Sequence, residues 1–258
     1  MSALLIGATG QVGRNVLREL LATPHFTRVL EAGRRVTPVE QLKAAGDLSK
    51  LEQKVIDFEK KEELEAALRP GKWDVVFITL GTTRASAGSA EMFEKIDREY
   101  VLNAAKAAKS TESNQRLVYL VRIHAPTARL PALIAVQSGA SSINSSFLLL
   151  RSKALTEQGL ATLGYSDLIV FRPGKLQNLN REQPHRLEGA ISFVTKGLSY
   201  VSDKVGIDVD VLGRSIRIAG QRGSDALPAV AEASRTDWGG EKFTLIGNKG
   251  ALHLAKES

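Results

Sequence analysis

Short apolar runs alternate with stretches of helical period through the first two thirds of the chain. Ala3 to Ile6 reads as a buried strand, and Gln11 to Ala22 as a helix with Val12, Val16, Leu17, Leu20 and Leu21 on one face. Arg28 to Ala32 reads as a second strand, Val55 to Phe58 as a third, Asp57 to Leu68 as helical, and Trp73 to Leu80 as a fourth strand. A long amphipathic helix follows over Glu91 to Lys109, then a strand at Arg116 to Leu120, a helix over Phe147 to Leu163 and a sixth strand at Asp167 to Phe171. Arg172-Pro173-Gly174 must end that strand, because proline has no N–H to give to a ladder. Strands separated by helices at this spacing need parallel crossovers. The pattern therefore predicts an α/β fold with a doubly wound parallel sheet, Rossmann-like, with ligands at the carboxyl ends of its strands.

With 258 residues, 43% of them hydrophobic, the chain is large enough for one such domain and too short for two independent ones. We expect a single unit over 1–258, with 176–258 contributing a smaller C-terminal lobe on the substrate side. That lobe would include a helix around Ala190 to Leu198 and charged loops such as Arg181 to Arg186. No run approaches the roughly 18 apolar residues of a membrane-spanning helix, and no basic segment precedes Met1 to Ile6, so neither a span nor a cleaved leader is expected. Absence of cysteine excludes disulfides and thiolate chemistry, and four histidines point to no metal site. The net charge of +7 is spread among mixed charges. Between Ser113 and Thr156 there are arginines and a lysine but no acid; without interleaved aromatics this stretch reads as solvated surface, and no nucleic-acid partner is expected.

Gly7-Ala8-Thr9-Gly10-Gln11-Val12-Gly13 lies between the first strand and the first helix. Glycines there allow a tight turn and close approach of backbone to a pyrophosphate, and the helix start offers N–H groups to the anion. Roughly 20 residues beyond the glycines, a dinucleotide site places an acid on a free ribose 2′-hydroxyl or a cation on a 2′-phosphate. Arg34 and Arg35 stand there, which favours NADP(H); Glu31, the only acid of that strand, keeps NAD(H) as the weaker alternative. Asp57 and Phe58 would border the adenine. Leu80, Gly81, Thr82 and Thr83 leave the fourth strand on the cofactor side, where the threonines suit phosphate or ribose.

In combination these residues resemble the atypical short-chain dehydrogenase/reductase superfamily, in particular the group of the human Tat-interacting oxidoreductase-like protein and its fungal mitochondrial relatives. The motifs are GATGQVG at 7–13, GRR at 33–35, VIDFEK at 55–60, LGTTR at 80–84 with the helix bearing Asp97, Tyr100 and Val101, SSF ahead of Lys153, FRPG at 171–174, and NKGALHLAK near the end. The resemblance implies a Rossmann fold and NADP(H) binding, with Lys153 at the nicotinamide ribose, Pro173 beside the cofactor, and Ser138 or Ser141 near a small carbonyl substrate. From the fungal relatives it also implies peripheral attachment to the cytosolic face of the mitochondrial outer membrane, with a cytoplasmic location as the alternative.

Two departures stand out. Active relatives place a tyrosine four residues before the lysine as proton donor; here that position is Leu149, while the literal Tyr200 and Lys204 pair falls after the sixth strand. Hydride transfer is therefore expected to be impaired, and a non-catalytic NADPH-sensing or scaffold role acting through protein partners is the alternative. Second, 121–137 reads as an insertion between the fifth strand and the serine-rich turn at Ser138. Its ends suit either a retained intron, since Val121-Arg122 can be encoded by a splice-donor-like GTACGT and Gln137 by CAG, or a surface loop carrying Pro126 and Pro131.

Overall fold

The computed structural model describes residues 1–82, 84–110, 114–121, 148–178, 206–238 and 240–257. β1 (Ser2–Ile6) leads through α1 (Gln11–Ala22) to β2 (Arg28–Gly33), β3 (Leu51–Val55), α2 (Lys61–Leu68) and β4 (Val75–Ile78). The chain continues through α3 (Arg84–Ala87), α4 (Ala90–Glu94) and α5 (Tyr100–Ala108) to β5 (Arg116–Leu120), and α6 (Leu148–Ala161) precedes β6 (Asp167–Arg172). After β7 (Lys175–Gln177), the described chain resumes at β8 (Gly206–Asp208) and runs through α7 (Val209–Arg222), β9 (Ser234–Trp238), β10 (Glu241–Gly247) and α8 (Asn248–Leu254).

Among the described residues, eight strands form one sheet in the order β3-β2-β1-β4-β5-β6-β10-β9. All neighbours are parallel except β9, which runs antiparallel to β10 at the edge. This is the expected doubly wound α/β sheet. Side chains alternate across it: Ala3 and Leu5 of β1 join the core under α1, α7 and α8, whereas Leu4 and Ile6 join the core under α2, α5 and α6. Burial on both faces explains why these strands read as continuous apolar runs. From Pro173 the chain leaves the sheet for a parallel β7–β8 ribbon, then returns to supply α7, β9, β10 and α8.

Three boundaries differ from the periodicity. The third strand is Leu51–Val55, not Val55 to Phe58, because among the described residues it is an edge strand paired with β2 alone and has a largely solvated face. Ile56 and Phe58 point into the core just beyond it. α2 starts at Lys61 rather than Asp57, whose carboxylate instead accepts the N–H of Glu59 at 3.0 Å and makes a turn. The long helix is interrupted by a π turn at Lys95–Glu99 that turns Asp97 fully inward. Val121, the first residue of the expected insertion, still belongs to the sheet ladder, giving its N–H to Phe171 at 2.9 Å; 122–137 lie outside the described residues.

Candidate functional site

The chain reverses its winding between β1 and β4, so the crevice lies at their carboxyl ends, where Ile6 is level with Ala32 on one side and Ile78 on the other. The glycine turn fills this crevice. Gly7 sits at φ 93°, and a Cβ there would stand 2.9 Å from the backbone N of Leu80. A Cβ on Gly13 would come within 2.1 Å of the Gly7 carbonyl oxygen. Gly10 closes the turn by donating its N–H to that oxygen at 3.0 Å. Only a chain without side chains at these positions lets α1 start directly against the strand end. As N-cap, Gly10 brings no side-chain cap, and the first turn of α1 holds no acid. The start of α1, at Gln11, Val12 and Gly13, thus presents helix-start N–H groups and partial positive charge where Thr9 and Gly10 lead in.

Thr79, which the sequence did not single out, locks this turn. It is buried, and its hydroxyl shares a proton between the carbonyls of Ile6 at 3.2 Å and Gly7 at 3.1 Å. Leu80, Gly81 and Thr82 follow half-buried beside the glycines, and Thr83 lies outside the described residues.

Arg34 and Arg35 follow the last residue of β2, both exposed. Glu31, by contrast, is buried and fully engaged. It is 1% exposed, and its carboxylate accepts the N–H and the hydroxyl of Thr37, each at 2.7 Å, and the side-chain amide of Gln53 at 2.7 Å. Gln53 stands level with Glu31 on β3 and also donates to the Thr37 carbonyl at 2.7 Å. The acid of β2 is therefore spent on closing the turn that carries the two arginines. Nothing in one dimension marks this, because Thr37 and Gln53 reach Glu31 only through strand pairing.

Phe58 is buried and stacks on Tyr100 with ring centroids 5.2 Å apart, while Asp57 is exposed beside it. The Tyr100 hydroxyl donates to Glu59 at 2.6 Å, and Lys95 reaches the same carboxylate at 2.8 Å. These bonds, the Lys95 one first, hold the Glu59 carboxyl below its ordinary range. Burial, followed by the bond to Glu59, raises the Tyr100 hydroxyl, and Arg34 is near enough to oppose that rise. The rim beyond β2 and β3 is thus one charged network.

Lys153 lies in α6 and is fully buried, its ammonium in a tight ion pair with Asp97, also fully buried. Around the pair, the second Asp97 oxygen, the Tyr119 hydroxyl and the Ser152 hydroxyl have no hydrogen-bond partner among the described residues. Burial first, then Asp97 and Glu157, push the Tyr119 hydroxyl far above its ordinary range. A second buried pair, Arg172 with Glu157, closes at 3.0 Å through Nε, and desolvation raises the Glu157 carboxyl against that pull. Pro173 is buried, and Gly174 donates its N–H to Asn248 at 2.7 Å, whose amide reaches the Gly206 carbonyl at 3.3 Å. The near-terminal NKGALHLAK motif therefore clasps the turn after β6. Ser138 and Ser141 lie outside the described residues, as do Tyr200 and Lys204; Leu149 is within α6.

A turn that side chains would fill, at the start of an uncapped helix beside the sheet's switch point, fits a dinucleotide pyrophosphate. A family described as NAD(P)H-binding matches residues 7–199. The chain belongs to this NAD(P)H-binding family. Among relatives of this NAD(P)H-binding protein, the mitochondrial protein FMP52 of Emericella nidulans is 30% identical over 233 residues, 88% of this chain and 91% of its own. Protein HTATIP2 of Rattus norvegicus is 33% identical over 175 residues, 68% of this chain and 62% of its own length. The resemblance to the atypical short-chain dehydrogenase/reductase group is thereby borne out. A short chain dehydrogenase/reductase of Saccharomyces cerevisiae shares the fold with a TM-score of 0.58 at 16% identity, over 87% of this chain and 92% of its own. The Bordetella bronchiseptica enzyme WbmF, solved with NAD+, does so at 0.57 and 14%, over 85% and 69%. No helix among the described residues is long and apolar enough to cross a membrane.

Proposed function

We propose that this protein binds NADP(H) in preference to NAD(H) and transfers hydride slowly or not at all. The observation that carries the cofactor choice is the closed cage around Glu31: the one acid that would serve a free 2′-hydroxyl is buried and satisfied, leaving Arg34 and Arg35 exposed at the strand end. A guanidinium on a phosphate contributes about 1.5–3 kcal/mol per charged hydrogen bond. The glycine turn would hold the pyrophosphate and Leu80 to Thr83 the adjoining ribose and phosphate, with Asp57 and Phe58 at the adenine. The bound cofactor would supply the hydride.

Leu149 supports slow chemistry, since a missing general acid removes about 10²- to 10⁴-fold in rate. Burial of the Lys153 ammonium against Asp97 supports the second reading, an NADPH sensor acting through protein partners, because the amine assigned to the ribose is already engaged. A small carbonyl compound remains the substrate class under the first reading. The mitochondrial naming of the fungal relatives supports a mitochondrial location; within this reading the molecule attaches peripherally to the outer membrane.

Thermal-shift titration with NADPH and NADH tests the proposal. Tighter NADPH binding that Arg34→Ala reduces about tenfold or more, with NADH binding unchanged, is expected; equal affinities would overturn it. Turnover of aldehydes, ketones and quinones should be very low and should rise in Leu149→Tyr, whereas rapid wild-type turnover contradicts the impaired reading.

A further inference from the structure

A second group of cations lies on the flank of α1, leading away from Gln11 at the end of the glycine turn. Arg14, Asn15 and Arg18 follow Gln11 at helical spacing and form one stripe. At 1.5 Å per residue, Arg18 stands about 10 Å along the axis from Gln11, beyond the first turn whose N–H groups face a pyrophosphate. The stripe forms one wall of a cavity of about 180 Å³; Asn178 and Asp210, from the end of the β7–β8 ribbon and the start of α7, form the other.

The charges in this cavity are unbalanced. Asp210 accepts the N–H of Val211 at 2.8 Å, and Asn15 donates to the Gln11 carbonyl at 2.9 Å. Neither Arg14 nor Arg18 has a hydrogen-bond or ion-pair partner among the described residues; Arg18 is exposed, while Nε of the half-buried Arg14 is itself buried without an acceptor. A buried donor left unpaired is destabilising, so an acceptor belongs there. Asn178, just past the ribbon, lines the cavity from a left-handed backbone conformation at φ 51°. The space equals the volume of about six waters, room for an oxyanion with a short carbon chain.

We propose that this cleft, which adjoins the dinucleotide site at Gln11 but is centred on Arg14 and Arg18, is a second oxyanion site that takes free phosphate or the phosphate of a small monoester. The guanidinium forks match phosphate oxygens, while the Asp210 carboxylate across the cavity opposes the anion.

Calorimetric titration at constant ionic strength tests it, with inorganic phosphate in one arm and glycerol phosphate in another, each with and without saturating NADPH. Saturable phosphate binding that persists with NADPH present is expected. Arg18→Gln should weaken it about tenfold or more, and Asp210→Asn should tighten it, with NADPH affinity unchanged in both. Binding of the ester alone would mark the ligand as a phosphorylated metabolite, and binding of both would admit free phosphate; either supports the site. No saturable binding, binding abolished by NADPH, or equal affinity in wild type and both variants overturns it. If NADPH itself fails to bind, the cofactor reading falls, while the two variants titrated with phosphate alone still decide the cleft.

Discussion

The carboxylate of Glu31 accepts both the backbone N–H and the side-chain hydroxyl of Thr37, each at 2.7 Å, and so closes the turn that displays Arg34 and Arg35. Glu31→Ala leaves the buried N–H and hydroxyl of Thr37 without their acceptor and removes one of the two acceptors of the Gln53 amide. We expect a loss of about 2–4 kcal/mol in urea unfolding, and a fall in NADPH-over-NADH preference as the turn loosens. Glu31→Gln, which keeps one acceptor oxygen, should recover part of both. Unchanged selectivity in the alanine variant would show that the cage does not position the arginines.

Gly13 meets the Gly7 carbonyl so closely that a methyl group would stand 2.1 Å from it. Gly13→Ala must push α1 off the strand end, at about 1–3 kcal/mol, and should weaken NADPH binding more than tenfold. Gly164, at φ 72° with open space around its Cβ position, is the control: Gly164→Ala should cost about 1 kcal/mol in stability and leave cofactor affinity alone. Unaltered NADPH binding in Gly13→Ala would remove the turn from the site.

Asp97 and Lys153 depend on each other. Asp97→Asn leaves a buried ammonium without its counter-charge, and unfolding stability should drop by about 3–5 kcal/mol. Adding Lys153→Met should restore most of that loss, which makes the double variant, rather than Lys153→Ala, the clean probe of whether the amine contributes to cofactor affinity. A single-variant cost below about 1 kcal/mol would mean that the pair does not hold in solution.

The Glu59 carboxyl, held low by Lys95 and Tyr100, contributes stability that is present above its unfolded pKa and is lost as pH falls through its folded value. Tyr100→Phe removes one of those bonds. The stability gap between wild type and this variant should be constant near neutral pH and should narrow in acid, below the ordinary glutamate range. A gap independent of pH across that window would contradict the assignment.

The alternation of apolar runs with amphipathic stretches was enough to determine the doubly wound sheet, since strands buried on both faces must be continuously apolar and parallel neighbours must be joined by crossovers. The glycine spacing and the place of Arg34 and Arg35 were equally legible, because a strand, a turn and a helix start are local in the chain. The edge strand β3 was not: its one-sided burial leaves too few apolar residues, and the apolar run just beyond it imitates a strand. Nor could the chain show that Glu31 is spent on Thr37 and Gln53, that Thr79 locks the glycine turn, or that a π turn delivers Asp97 to Lys153. Each of these joins groups brought together only by strand register or helix packing, and burial then makes their hydrogen bonds and charges depend on neighbours distant in sequence.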